Sequence, residues 1–192
     1  TLVPGDCVYV DLNADGEINS NDATRDIGYT DMPEYTAGLN TGFSWKNFDF
    51  SMQWTGAWNV DRMLDEFRRP LGDTNEKGLL LYQYDTTWRS SADTFTAKFP
   101  RTSSLHASNN YAGSDLYLIN ASYLRLKSVE IGYNFNFPFM KKLKMDNCRL
   151  YVNGYNLITI TGFKWGDPES RQSSRPNYPL TRVFNIGLKL GF

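Results

Sequence analysis

The stretch Tyr178–Phe192, with the sequence YPLTRVFNIGLKLGF, decides the fold class. From Phe184 onward every second residue is large and apolar, and the residues between them are polar or small. A period of two residues gives a β-strand two chemically different faces. A soluble sheet packs its apolar face on a core, whereas a membrane barrel turns that face toward lipid. Because the stretch ends on an aromatic residue without a polar tail, we expect the closing strand of an outer-membrane β-barrel.

Four further stretches alternate in the same way. A two-residue turn at Lys46–Asn47 joins the first two, which predicts an antiparallel hairpin whose strands are long enough to cross a bilayer. The third changes phase near Lys127–Ser128, which predicts a β-bulge. The five predicted strands are residues 34–45, 48–58, 118–137, 148–160 and 178–192. The predicted fold is all-β, a segment of a transmembrane antiparallel β-barrel.

The connections between these strands alternate in length. Residues 1–33, 59–117 and 161–177 are long polar segments, whereas the turn after residue 45 and the connection 138–147 are short. Bacterial outer-membrane barrels have short periplasmic turns and long extracellular loops. This parity predicts three extracellular segments and a periplasmic C-terminus. Since five strands cannot close a barrel, we expect the chain to be part of a larger one.

Composition limits the other classes of protein. The net charge is −1 and the pI about 5.8, which gives no indication of a nucleic-acid partner. No apolar run is long enough for a transmembrane helix. The start TLVPGDCVYV lacks the pattern of a signal peptide, so we expect a mature piece or an internal fragment. A soluble, secreted, calcium-stabilised β-sandwich that binds carbohydrate is the alternative to the barrel.

Residues Asp11–Asp22 follow the pattern of an EF-hand calcium loop. Gly16 stands at the position of the sharp turn, and Asp22 replaces the bidentate glutamate at the last ligand position. Hard oxygen ligands at this spacing suit Ca²⁺. A metal-free loop held by Asx-turns is the alternative, because a strand and not a helix precedes the loop. The predicted ligands are Asp11, Asn13, Asp15, Glu17 (through its carbonyl), Asn19 and Asp22.

The long segment 59–117 contains residues that catalysis could use, but in no catalytic pattern. His106 is the single histidine, and no nucleophile motif accompanies it. Asp61, Asp65 and Glu66 are sequence neighbours, a pattern that is typical of a solvated face. We therefore expect no enzyme. The spacing of apolar residues in Val60–Phe67 predicts a short helix.

Aromatic residues and cysteines in the loops give two further expectations. Cys7, in a short predicted strand Cys7–Val10, and Cys148 would lie at opposite sides of the membrane, so we expect two free thiols. Several rings in the predicted extracellular segments are candidates for stacking on sugars or packing on a partner, although packing within the loop is the simpler role. These rings are Phe67, Tyr82, Tyr84, Trp88, Phe95, Tyr111 and Trp165.

The whole chain resembles the C-terminal part of SusC/RagA-type TonB-dependent outer-membrane transporters. The resemblance rests on these motifs in order: GDCVYVDLNADGEINSNDATRDIG (Gly5–Gly28), the Trp-Lys-Asn-Phe-Asp turn at Trp45–Asp49, AKFPR (Ala97–Arg101), SYLRLKSVEIGYNF (Ser122–Phe135), LYVNGYNLITIT (Leu150–Thr161), Asp-Pro-Glu (Asp167–Glu169) and the terminal stretch. It implies the last five strands of a barrel of about 22 strands with an N-terminal plug.

The resemblance also implies a function and partners. Members import oligosaccharides, or in some cases peptides, with a SusD-like lipoprotein as a lid and with energy from TonB through a plug that this sequence lacks. In such a barrel Gln53, Asn185 and Lys189 would face the interior. The lipid bilayer would contact the opposite face, with Phe50, Trp54, Ile186 and Leu188.

Overall fold

The computed structural model describes residues 2–64, 79–102, 108–138, 144–170 and 180–192. Within these residues the chain forms two compact units. The first contains residues 2–31, 61–64, 79–102 and 108–119. The second contains residues 32–60, 120–138, 144–170 and 180–192.

The second unit is an antiparallel sheet of five strands. Its order is β1 (Tyr35–Trp45), β2 (Phe48–Trp58), β5 (Tyr123–Phe135), β6 (Asn147–Thr161) and β7 (Val183–Gly191). The intervening short strands β3 (Asp61–Met63) and β4 (Leu118–Asn120) pair separately. Each neighbouring pair of the large sheet is antiparallel. The five predicted strands are thus confirmed in type and order.

The hairpin of β1 and β2 has the predicted turn. Trp45 pairs with Phe48 beside the turn, and Tyr35 pairs with Trp58 at the far end. Lys46 adopts a positive φ of 54°, the left-handed conformation that tight hairpin turns require. Two rings therefore mark each end of the hairpin.

Two predicted strands are longer than the strands in the structure. Residues 118–137 divide into β4 and β5, because the backbone leaves the strand conformation at Ala121 and Ser122 and the N–H of Ala121 bonds to the carbonyl of Val60 (2.8 Å). The predicted strand 178–192 corresponds to β7, which begins at Val183. Residues 178 and 179 lie outside the described residues.

The predicted bulge is present in β5. The register with β2 shifts where Gln53 pairs with Ser128 and Trp54 with Leu126. The register with β6 shifts between the same two residues of β5, so Lys127 has no direct partner in either neighbouring strand. Asn156, at the shift in β6, has a positive φ of 54°. The bulge keeps Leu126 and Val129 on the same face although their numbers differ in parity.

The register gives the sheet two chemically distinct faces. The row Phe43, Phe50, Ile131, Val152 and Ile186 crosses all five strands and is entirely apolar. The adjacent row on the opposite face is Gly42, Ser51, Glu130, Asn153 and Asn185. Ile186 is 78 % exposed and Leu188 60 %, so the apolar face is uncovered where β7 presents it.

The first unit has a small core of mixed character. Tyr117 is fully buried and stacks on Phe99, with the ring centroids 6.4 Å apart, and its hydroxyl donates to the carbonyl of Asn110. The unit contains one short helix, α1 (Leu81–Thr86), and 3₁₀ turns at Ser20–Asp22, Ser91–Asp93, Ser108–Tyr111 and Asp115–Tyr117. In the described part of the chain, no helix has the length and apolar character to span a membrane.

Two sequence predictions in the connections are wrong. The helix predicted for Val60–Phe67 does not begin at Val60, because Asp61–Met63 is strand β3 and pairs with β4. Residues 65–67 lie outside the described residues. The predicted strand Cys7–Val10 is not part of a sheet, although its burial still alternates residue by residue.

Candidate functional site

The polar face of the sheet carries an ion cluster near the β1–β2 turn. The guanidinium of Arg149 on β6 donates to Asp49 on β2 (Nε to Oδ1, 3.1 Å) and to Glu130 on β5 (2.7 Å). The amides of Asn134 and Asn153 donate to the same two carboxylates. One cation thereby connects three strands across the polar face.

A glycine makes this cluster possible. Gly132 lies between Asp49 and Tyr151 in the register of the sheet. A Cβ at Gly132 would stand 2.6 Å from Nε of Arg149 and 2.6 Å from the Asp49 carboxylate. Only a residue without a side chain lets the guanidinium cross β5 and reach β2.

A second ion cluster lies at the opposite end of the same face. Arg125 on β5 contacts Asp167 at 2.8 Å and Glu169 at 2.7 Å, and its side chain is only 2 % exposed. Lys127, at the bulge, contacts Glu169 at 3.2 Å. Ion pairs therefore hold the segment Asp167–Glu169, which follows β6, against the polar face of the sheet. The sequence signal for this cluster was the Asp-Pro-Glu motif together with the phase slip at Lys127.

The residues predicted for the interior and for the lipid do occupy opposite faces. Asn185 donates to Asn153 at 2.9 Å, and Lys189 pairs in register with Arg149, so both lie with the ion cluster. Gln53 pairs with Ser128 on that face. Phe50, Trp54, Ile186 and Leu188 lie on the other face.

Aromatic rings lie at the turn end of the sheet, as Tyr35 and Trp58 do at the opposite end. Trp45 and Phe48 flank the turn, and Tyr133 pairs with Phe48. Tyr133 contacts Phe135 with centroids 4.9 Å apart. A belt of rings at the end of an apolar face is typical of a strand end at a bilayer interface.

The predicted calcium loop is a compact turn held by its own side chains. Asp11 accepts the N–H of Gly16 at 2.8 Å, Asn13 accepts that of Asp15 at 3.0 Å, and Asp15 accepts that of Glu17 at 2.8 Å. Asp22 accepts the N–H groups of Leu12 and Asn19, at 2.9 Å and 2.8 Å. The loop thus contains the Asx-turns of the metal-free alternative, and such turns are compatible with a bound cation as well.

One oxygen of this loop is left without a partner. Oδ1 of Asp11 is buried and accepts no hydrogen bond. A buried carboxylate oxygen that lacks a donor suits a cation. In the described part of the chain no group of three or more His, Cys, Asp or Glu side chains is arranged to hold a metal. The predicted ligands Asp11, Asp15 and Asp22 therefore do not form such a group in this structure, and the other predicted ligands are two asparagine side chains and the Glu17 carbonyl.

Hydrogen bonds also lower the pKa of one predicted ligand, Asp22. The backbone N–H of Asn19 lowers the pKa of Asp22, and the N–H groups of Leu12 and Asn13 act in the same direction. A lowered pKa keeps the carboxylate ionised, which is the form that binds a cation.

The residues considered for catalysis have other roles or lie outside the described residues. Asp61 is 7 % exposed and accepts the N–H of Tyr29 at 2.8 Å. It therefore stabilises the chain beside β3. His106, Asp65 and Glu66 lie outside the described residues.

The loop aromatics differ in exposure. Phe95 is 98 % exposed, whereas Tyr84 packs under the guanidinium of Arg89 (4.2 Å to the ring centroid) and Tyr82 contacts Phe99 edge-on. Tyr111 and Trp165 are half-buried. Phe67 lies outside the described residues. Tyr82 and Tyr84 thus have contacts within the loop, but both rings remain exposed.

Both cysteines are free, as predicted. Burial raises the pKa of the Cys7 thiol, and the carboxylates of Asp6 and Asp115 add to the shift. The thiol is therefore protonated and unreactive at neutral pH.

An antiparallel sheet with one apolar, uncovered face and one polar, ion-paired face defines a segment of a transmembrane β-barrel. The sandwich alternative would require a second sheet over the apolar face, but the side chains of β7 on that face are exposed.

Comparisons with known proteins confirm the resemblance to SusC/RagA-type TonB-dependent receptors. TonB-dependent receptor P3 of Formosa agariphila is 30 % identical over 206 residues, which cover 98 % of this chain and 19 % of that protein. TonB-dependent receptor SusC of Bacteroides thetaiotaomicron is 28 % identical over 191 residues, which cover 98 % and 18 %. No family model matches the chain. These relatives are named as receptors, in agreement with the prediction that the chain is not an enzyme.

Solved structures agree on the fold. The RagAB peptide importer in the closed-closed state matches with a TM-score of 0.68 and 20 % identity, over 93 % of this chain and 20 % of that chain. The open-open state matches with a TM-score of 0.62 and 21 % identity, over 85 % and 18 %. The chain thus spans about a fifth of the length of the proteins that it matches.

Proposed function

We propose that the chain forms the C-terminal strands of a TonB-dependent importer of nutrients in the outer membrane of a Gram-negative bacterium. The two-faced sheet carries this proposal. Rows of apolar residues suit contact with lipid tails, and the charged rows of the opposite face suit a lumen that contains water. The unpaired edges of β1 and β7 would pair with the other strands of the barrel, because hydrocarbon leaves no partner for free backbone groups.

The orientation follows from the strand ends. Rings lie at both ends, but only one end has the short turn at Lys46–Asn47, and short turns are periplasmic in bacterial barrels, so we place this end in the periplasm together with the C-terminus. The long connections, residues 1–33, 59–117 and 161–177, would then lie outside the cell. A SusD-like lipoprotein is the proposed lid on that side, and TonB is the proposed source of energy through the plug of the complete protein.

Two cargo classes remain in the proposal, oligosaccharides and peptides. The fold neighbour RagAB is described as a peptide importer, and oligosaccharides are the other cargo class that the resemblance implies. The polar face offers carboxylates, amides and cations to either cargo.

Fractionation and uptake test this function. The complete protein should require detergent for extraction from outer membranes and should copurify with a surface lipoprotein. Uptake of its cargo should stop when TonB is deleted. Extraction as a soluble protein without detergent, or uptake that is independent of TonB, would contradict the proposal.

We also propose that Asp11–Asp22 binds Ca²⁺ as a structural ion. The unpartnered Oδ1 of Asp11 and the lowered pKa of Asp22 support it. Calorimetry with CaCl₂ should detect binding that Asp11→Ala abolishes. Asp26→Ala, which removes an exposed carboxylate outside the loop, is the matched control and should bind normally. Equal binding by both variants would exclude this loop as the calcium site.

A further inference from the structure

The first unit contains a pocket that the ion clusters and the calcium loop do not involve. Its volume is about 440 Å³, and its apolar walls are the rings of Pro4, Trp88, Phe99 and Pro100. Gly5 has a φ of +91°, and a Cβ there would come within 2.7 Å of the indole of Trp88. The backbone at Gly5 therefore lies directly against this ring.

Some polar groups of the wall are already engaged. The carboxylate of Asp6 accepts from Arg101 (2.6 Å) and Asn110 (2.9 Å) and also from the N–H of Val3 (2.9 Å). The hydroxyl of Thr94 donates to the carbonyl of Ser91 at 2.8 Å. A sugar would need several free donors and acceptors, because its buried hydroxyls must be paired. The Trp88 indole N–H and the Ser91 hydroxyl have no partner among the described residues, but most of the wall is apolar, so the pocket favours an uncharged, mainly apolar group.

An open strand edge begins at the rim of this pocket. Cys7, which lines the pocket, donates its N–H to the side chain of Asn110 (2.9 Å), and its carbonyl accepts from the side chain of Asn109 (2.6 Å). The two asparagines thus take the place of a neighbouring strand on one side of Cys7. In an extended chain the N–H and C=O of the next residue point to the other side.

That other side has no partner among the described residues. Neither Val8 nor Val10 makes a hydrogen bond to any of them. Their side chains are 75 % and 71 % exposed, whereas those of Cys7 and Tyr9 are half-buried. Two β-branched residues in an extended, alternating segment have a high preference for strand pairing.

We propose that this edge and pocket bind an extended peptide. The peptide pairs its backbone with Val8 and Val10 and places one apolar side chain in the pocket beside Trp88. This arrangement is strand addition, in which backbone hydrogen bonds give affinity and side-chain pockets give specificity. A volume of about 440 Å³ is near the lower end of the roughly 300–1,000 Å³ of ligand pockets and suits one side chain with its flanking backbone.

As a cargo site, this assignment rests on the proposed import function, and it names peptides as the cargo class. The charge of the peptide side chain should also affect binding. With the Asp6 carboxylate committed to Arg101, the pocket offers no free counter-ion to a lysine or glutamate side chain. A peptide with an apolar side chain at the central position should therefore bind more tightly than one with a charged side chain.

The test uses the complete protein, purified in detergent, and fluorescent five-residue peptides of alanine with leucine, lysine or glutamate at the centre. The leucine peptide should bind most tightly. Trp88→Ala should weaken it at least about tenfold, as expected for loss of a central aromatic anchor. Val8→Pro, which removes one N–H of the edge, should weaken it about fivefold.

Two matched controls separate the site from general damage. Phe95→Ala removes a ring that is 98 % exposed and does not line the pocket, and Val8→Thr keeps both the β-branch and the N–H. Both should bind as the parent does. Equal affinity for the three peptides, unchanged binding by Trp88→Ala, or displacement of the leucine peptide by maltopentaose would overturn the peptide site.

Measurements of uptake in cells distinguish a failure of the peptide site from a failure of the proposed import function. TonB-dependent uptake of a glycan, with no binding of the leucine peptide, would refute the peptide site and leave the importer intact. Peptide binding that depends on Trp88, without any TonB-dependent uptake, would refute the importer and leave the site intact.

Discussion

The guanidinium of Arg125 lies 2.8 Å from the carboxylate of Asp167, although 42 residues separate the two in sequence. Removal of one partner from a buried ion pair leaves an uncompensated charge. We expect Arg125→Met to lower the free energy of unfolding by about 3–5 kcal/mol. The urea midpoint of the complete protein, folded in lipid vesicles, measures this change.

Lys127 gives the matched control for Arg125. It contacts Glu169, but both side chains are more than a third exposed. Lys127→Met should cost at most about 1 kcal/mol, because exposed ion pairs contribute little. Similar losses for the two variants would show that the Arg125 pair is not buried in the complete barrel.

The apolar face predicts a penalty for charge at Leu188. This residue pairs with Leu150 and is 60 % exposed in the isolated sheet. Leu188→Arg should destabilise the protein by about 2–4 kcal/mol if the position lies near the bilayer midplane. Asn185→Arg, on the polar face of the same strand, is the control and should cost much less. A larger loss for Asn185→Arg would reverse the assignment of the faces.

The glycine beneath Arg149 gives a third prediction. In Gly132→Ala the new methyl group would meet the guanidinium and the Asp49 carboxylate, so the ion cluster must move. Overpacking of this kind costs about 1–3 kcal/mol. In Gly38→Ala the nearest atom to the new Cβ is the Trp54 carbonyl at 3.8 Å, an ordinary contact. The urea midpoint should fall for Gly132→Ala only, and equal shifts would contradict the crowding.

The lowered pKa of Asp22 predicts how the calcium loop responds to acid. Hydrogen bonds from backbone N–H groups, first that of Asn19, hold the pKa of Asp22 below the ordinary 3.8. The stabilisation is therefore complete above the pKa of the unfolded chain, and it is lost as the pH falls through the lower folded value. Amide NMR shifts of Leu12 and Asn19 should stay constant down to about pH 4 and change below it. A change centred above that pH would contradict these hydrogen bonds.

The strands could be predicted from sequence because their pattern is local. In β2 and β7 the apolar residues alternate within the strand itself, and at Lys127 the change of phase marks the bulge directly. A period of two residues requires no knowledge of the partner strand. The two faces of the sheet followed from the same pattern.

The features that the sequence did not reveal depend on distant partners. The spacing from Val60 to Phe67 predicts a helix, yet Asp61–Met63 pairs with Leu118–Asn120, far along the chain. Cys7–Val10 has the composition of a strand but lies against asparagine side chains. The sequence around Arg125 does not indicate burial, yet its side chain is buried where it forms ion pairs with Asp167 and Glu169. In each case tertiary contacts override the local preference.

The central claim is that β7 turns alternate side chains toward lipid and toward the lumen. Spin labels at each position from 184 to 189, in a background with Cys7 and Cys148 replaced by serine, test it in vesicles. Relaxation by oxygen should peak at Phe184, Ile186 and Leu188, and relaxation by a water-soluble nickel complex should peak at Asn185, Gly187 and Lys189. Loss of this alternation, or the reverse phase, would contradict the account.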